Sequence, residues 1–146
     1  MFNIEKHSEK SFSFNFSSDM WIVDKAILVC EHYLKKLDII ITFEFKTVLR
    51  ELLINAVEHG NKNNFERSVT CRIEHVRQRQ IKITVEDEGN GFDHRCLDMQ
   101  LSEDILHNRN RGYAMIKEFT DHLEFNSRGN RITAYIDMDI SCDDNK

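Results

Sequence analysis

A chain of 146 residues suits one compact domain around a single core, so residues 1–146 are read as one domain. Its composition is ordinary for a globular chain, with 40% apolar and 31% charged residues. The net charge is −5 with no long basic run, which argues against direct nucleic-acid binding, because a phosphate backbone needs clustered Lys and Arg. No stretch reaches the about 18 apolar residues that a membrane span needs. The start, Met1–Lys10, is polar, so cytoplasmic residence without membrane contact is the expectation.

Met1–Glu9 and Ser141–Lys146 read as tails. Ser11–Phe16 alternates strictly, with Phe12, Phe14 and Phe16 on one face, and predicts a strand with one buried side. Ser17, Ser18 and Asp19 are N-cap residues and open a helix to about Leu37. A second helix is predicted from about Phe43 to His59. Its apolar positions Phe45, Val48, Leu49, Leu52, Leu53, Ala56 and Val57 follow i, i+3, i+4 spacing. Gly60 and the polar run Asn61–Asn64 end it.

Two strands follow, near Ser68–Val76 and Gln80–Asp87. In the second, Ile81, Ile83 and Val85 face one way and Lys82, Thr84 and Glu86 the other. Gly89 and Gly91 break the pattern. Phe92–Asn110 is a polar stretch, long for a connection in a small domain. A helix is expected from about Gly112 to Thr120. Leu123–Phe125 and Ile132–Met138 then form a closing hairpin that turns through Ser127–Asn130. This order predicts an α+β fold, a two-layer sandwich with a mostly antiparallel sheet covered on one face by three helices. Cys30, Cys71, Cys96 and Cys142 are widely spaced and read as unpaired thiols of a reducing compartment.

Three short runs carry chemistry. Glu51, Asn55 and His59 stand at i, i+4 and i+8, so they line one side of the second helix, at the border of its apolar stripe. Carboxylate and amide oxygens there suit magnesium, although a solvated polar flank has the same spacing. Asp87 continues the inward parity of Ile81, Ile83 and Val85. An inward carboxylate needs a donor, and an amino group on a ligand would serve. Gly89 and Gly91 beside it let the backbone turn sharply and approach a ligand. Finally, Arg109-Asn110-Arg111-Gly112-Tyr113 precedes a helix, where backbone N–H groups and arginines suit phosphate.

The order and spacing of the three runs resemble the GHKL ATPases, a group that includes gyrase, the ninety-kilodalton heat-shock chaperones, histidine kinases and the mismatch-repair ATPase. Glu51-Leu-Leu-Ile-Asn55-Ala-Val-Glu-His59-Gly-Asn61 is similar to the asparagine box. Asp87, Gly89 and Gly91 match the first glycine box, and Arg111-Gly112-Tyr113 matches the second less closely. The ending Glu-His-Gly-Asn is close to that of the anti-sigma-factor serine kinases.

The resemblance implies the Bergerat-type ATP-binding fold, with ATP and Mg²⁺ as cofactors. It implies that Asn55 ligates the metal and that Asp87 accepts from the adenine amino group. Gly89 and Gly91 would shape the adenine pocket and the hinge of the loop, Gly112 would contact phosphate, and His59 and Arg111 would also belong to the nucleotide site. It implies a lid over residues 92–111, with Glu51 as general base toward a serine hydroxyl or water. The implied activity is that of a protein serine/threonine kinase. The implied partners are a sigma factor and an anti-sigma-factor antagonist protein, with a homodimer as the assembly. The family usually carries glycine two residues before the Gly112 position, where this chain has Asn110. Two other readings stay open. One is a non-catalytic nucleotide-dependent switch, and the other is a stand-alone histidine-kinase-type module.

Overall fold

The computed structural model describes residues 2–91 and 108–138, with residues 108–111 described by their backbone only. Strand alternation builds the core. Phe12, Phe14 and Phe16 lie on β2 (Ser11–Ser17), and Val69, Cys71 and Ile73 on β3 (Ser68–Arg77). Ile81, Ile83 and Val85 lie on β4 (Gln80–Glu86), and Ile132, Ala134 and Ile136 on β6 (Arg131–Asp137). All of these are buried. Antiparallel register places them in rows across the sheet, so Phe14 faces Cys71, Cys71 faces Val85, and Val85 faces Ile132. Period-two alternation and this register together give one apolar face. With β1 (Phe2–Ser8) and β5 (His122–Phe125), six strands form one sheet in the order β1-β2-β3-β4-β6-β5. Every neighbouring pair is antiparallel.

Three helices cover the apolar face. α1 (Met20–Lys35) starts where Asp19 Oδ1 accepts the N–H of Trp21, and it buries Val23, Ala26, Ile27, Cys30 and Leu34. α2 (Phe43–Ile54) starts where Thr42 Oγ1 accepts the N–H of Phe45, and its i, i+3, i+4 stripe Phe45, Val48, Leu49, Leu52 and Leu53 is buried. α3 (Asn108–Phe119) buries Tyr113, Ala114 and Ile116. α2 packs against both other helices and against β4, which puts its polar flank next to the end of the central strand. The fold is therefore mixed α+β, a two-layer sandwich.

Three boundaries differ from the sequence reading. The expected N-terminal tail is strand β1, which pairs with β2 from Phe2 opposite Phe16 to Ser8 opposite Ser11. Only Phe2 turns inward, stacking on Phe14 at 5.4 Å and Phe16 at 6.2 Å between ring centres. An edge strand with one anchor shows no apolar alternation. The second helix does not run as an α-helix to His59. Its last turn, Asn55–Gly60, is π-helical, and the N–H of Asn61 reaches the carbonyl of Ala56. Such wide turns are rare and gather at functional sites. α3 spans Asn108–Phe119, so Asn110 and Gly112, expected before or at the helix start, both lie within it. Among the described residues, no helix is long and apolar enough to cross a membrane.

Cys30 on α1 and Cys71 on β3 are free thiols, fully buried; Cys96 and Cys142 lie outside the described residues. Burial pushes both described thiols well above their ordinary pKa, and Cys71 adds to the shift at Cys30. An unfolded thiol ionises near about pH 8.5. Above that pH the folded state keeps protons that the unfolded state has released. Stability is thus complete below about pH 8.5 and falls as pH rises, by about 1.4 kcal/mol per pH unit for each thiol. Urea titrations over the alkaline range should show this slope, and Cys30→Ala/Cys71→Ala should flatten it. An equal slope in that variant would show that other groups cause the loss.

Candidate functional site

The polar flank of α2 and the end of β4 meet at a cleft of about 250 Å³. Asn55, His59 and Gly60 line it from the π-helical turn, Asp87, Asn90 and Gly91 from the strand end, and Gly129 and Asn130 from the β5–β6 turn. Leu52, Val85 and Ile132 give it an apolar floor. One polar end over an apolar floor is the usual character of a small-molecule site. Lys62 stands at the rim in a left-handed backbone conformation, with φ 53°.

Asn55 is 5% exposed, and its Nδ2 has no hydrogen-bond partner. Only Ser11 Oγ shares that condition among the described residues. A buried amide without a partner is uncommon and points to a group that the protein itself does not supply. A half-turn about its last torsion exchanges the amide oxygen and nitrogen. The position can therefore offer a carbonyl ligand to a metal ion. The described residues contain no cluster of three or more His, Cys, Asp or Glu side chains able to hold a metal on their own. A magnesium ion brought in on phosphates would find one protein oxygen here, the Asn55 side-chain carbonyl.

Asp87 lies one residue past β4, half-buried. Its Oδ1 accepts the N–H of Gly89 at 2.8 Å, which fixes the carboxylate direction. The glycines around it make room for close contacts. A β-carbon on Gly60 would sit 2.2 Å from Asp87 Oδ2, and one on Gly89 would sit 2.0 Å from the carbonyl oxygen of Gly60. Gly91 combines a φ of 81° with the carbonyl of Arg128, which would lie 1.8 Å from an added β-carbon. Arg128 also donates through its guanidinium to the carbonyl of Gly89 at 3.0 Å, so the β5–β6 turn closes over the glycine run.

At the other end, α3 brings Gly112 against α2. A β-carbon there would stand 2.6 Å from Glu51 Oε1 and 3.8 Å from Asn55 Nδ2. The three sequence runs thus converge. Asn55, His59, Asp87 and Gly91 line the cleft, Gly89 backs it against Gly60, and Gly112 with Glu51 adjoins Asn55. Arg111 is placed at the start of α3, but its side chain lies outside the description. Of the expected lid, residues 92–107 lie outside the described residues.

The sequence alone assigns no site role to Gly60, Asn61 or Asn130. Gly60 looked like a helix stop, yet it is the surface against which the Asp87 carboxylate rests. Asn61 opens the polar run that ends the second helix, yet it is fully buried. Asn130 looked like a turn residue, yet it is 6% exposed and bonded to Asp87. An unbroken motif-to-turn junction, His59-Gly60-Asn61, was the available signal for the first two.

A two-layer sandwich with a cleft between an asparagine-bearing helix and an aspartate–glycine strand end is the arrangement that the resemblance to the GHKL ATPases led one to expect. Residues 19–136 match the family described as the histidine kinase-like ATPase domain. The chain belongs to that family, whose domains are built to bind ATP. Comparison with curated proteins gave no match. Among solved structures, the histidine kinase domain from Erythrobacter litoralis EL346 blue-light activated histidine kinase is similar at 20% identity and a TM-score of 0.48. The match covers 67% of this chain and 44% of that one, so this chain spans less than half of that structure's length.

Proposed function

We propose that this domain binds Mg²⁺·ATP and transfers the γ-phosphoryl group to a serine or threonine hydroxyl of a partner protein. In the fuller form of this reading it is a cytoplasmic, homodimeric anti-sigma factor. It holds a sigma factor and phosphorylates an antagonist protein. The observation that carries the phosphotransfer reading is that Glu51 and Gly112 adjoin Asn55, which lines the same cleft as Asp87. What favours the anti-sigma class is the Glu58-His59-Gly60-Asn61 ending of the asparagine run.

Each residue has a task of its own. Asp87, held by the N–H of Gly89, accepts from the exocyclic amine of adenine. The floor of Leu52, Val85 and Ile132 excludes water from the base. Asn55 would ligate the metal, and the unpaired N–H groups that open α3, one turn before Gly112, would be offered to phosphate. The carboxylate of Glu51 takes the proton of the attacking hydroxyl. A metal held by Asn55 would neutralise charge on the phosphates, adding to the positioning and electrostatic stabilisation on which phosphoryl transfer depends.

Asp87→Asn tests the nucleotide assignment. The variant keeps the size and turns an acceptor oxygen into a donor that faces the amine. A buried donor against a donor costs roughly 1–3 kcal/mol, so ATP affinity should fall about tenfold to a hundredfold by calorimetry. An unchanged affinity would remove Asp87 from adenine recognition.

A further inference from the structure

Resting on the nucleotide reading above, we propose that Asn61 and Asn130 form a two-sided clamp that aims the Asp87 carboxylate. Asn61 is then a positioning residue for selection of a base that carries an exocyclic amine.

The clamp is visible in the hydrogen bonds around one peptide plane. The Asp87–Glu88 peptide is held at both its polar atoms. Asn130 Nδ2 donates to the carbonyl of Asp87 at 2.9 Å, and Asn61 Oδ1 accepts the N–H of Glu88 at 2.8 Å. The preceding peptide is pinned as well, since the N–H of Asp87 donates to the carbonyl of Asn130 at 2.9 Å. With both flanking peptides fixed, the Cα–Cβ direction of Asp87 is fixed too. The bond from the Gly89 N–H to Oδ1 then sets the turn of the carboxylate. No element of regular structure does this, because β4 ends at Glu86.

The two asparagines are themselves anchored. Asn61 is fully buried, and its Nδ2 donates to Ser18 Oγ at 2.8 Å and to the carbonyl of Ser68 at 2.9 Å. One amide therefore joins the entry to α1, the start of β3, the end of the π-helical turn and the strand end of Asp87. Asn130 Oδ1 accepts from Asn126 Nδ2 at 2.7 Å, and Asn126 Oδ1 caps the β5–β6 turn. A buried polar network with every bond made is rigid, and a directional contact to a ligand needs that rigidity.

The test separates aim from stability. Affinities are measured for ATP and for purine riboside 5′-triphosphate, which lacks only the 6-amino group. The wild-type ratio should favour ATP by roughly 10- to 100-fold, the worth of a hydrogen bond to a charged acceptor. Asn61→Ala removes the acceptor for the Glu88 N–H, and its ratio should fall to within about threefold of unity. Ser18→Ala also loses buried hydrogen bonds, to Asn61 and to the carbonyl of Arg67, but leaves the bond from Glu88 to Asn61. It should melt earlier yet keep the wild-type ratio. If Asn61→Ala does not fold, Asn130→Ala releases the same peptide from its other side and should show the same fall. A wild-type ratio in folded Asn61→Ala, or in Asn130→Ala when that variant stands in, overturns the clamp. A ratio near one in the wild-type protein overturns the adenine reading of Asp87, and the clamp with it.

Discussion

Glu51→Gln is expected to lower phosphoryl transfer by roughly 10²–10⁴-fold while ATP affinity stays within a few-fold. Glu51 stands one turn before Asn55 on the same flank of α2, and its Oε1 lies where a side chain on Gly112 would have to go. A carboxylate in that place repels phosphate and so adds little to nucleotide binding. It is well suited to accept a proton as a hydroxyl oxygen attacks phosphorus. The glutamine keeps the shape and removes the basicity, which isolates the chemical step. The assay uses ³²P transfer to a serine-bearing protein that the wild-type domain phosphorylates, with calorimetry for ATP. Full transfer by the variant would refute the base assignment. A parallel loss of ATP affinity would instead place Glu51 in binding.

Gly60→Ala should weaken ATP binding by about 10- to 100-fold, with a stability loss of no more than about 1–2 kcal/mol. The added methyl would fall 2.2 Å from Asp87 Oδ2 and 2.3 Å from its Cγ. The carboxylate must swing away, because the π-helical backbone at Gly60 is tied through the bond from Asn61 N–H to the Ala56 carbonyl. The swing is inexpensive for folding, since only a side chain moves. It is expensive for binding, since the group that accepts from the base is the one displaced. Gly89→Ala is the contrast. There the new methyl meets the carbonyl oxygen of Gly60 at 2.0 Å, backbone against side chain, and the strand end must separate from the turn. That variant should lose stability and affinity together. Thermal melts beside calorimetry distinguish the two cases, and a Gly60→Ala protein that binds ATP normally would show that the nucleotide does not use this carboxylate.

The fold was legible wherever a single element carried its own pattern. Phe12, Phe14 and Phe16, then Ile81, Ile83 and Val85, announce strands with one buried face, and the stripe on α2 announces a helix lying on them. β1 was not legible, because an edge strand held by Phe2 alone leaves the rest of its side chains exposed and without alternation. The π-helical turn was not legible either. Its residues, Asn55–Gly60, continue the apolar spacing of α2, and the widening appears only in which carbonyl the Asn61 N–H reaches.

For the site, the sequence by itself determined the ingredients and their order. Residue type and spacing marked Glu51, Asn55 and His59 as one flank, Asp87 as an inward carboxylate, Gly89 and Gly91 as points of close approach, and Gly112 as a helix start suited to phosphate. The tertiary structure alone decided how they meet. The peptide after Asp87 is held by Asn61 and Asn130, which lie 27 and 43 residues from their bonding partners. Glu51 meets Gly112 because α3 packs against α2. Local patterns record whether a side chain faces inward, since alternation and helical periodicity are properties of a short stretch. They carry no record of which distant group it will meet there. That is set by strand order and helix packing, and those made two asparagines from apparent turns into buried supports of the site.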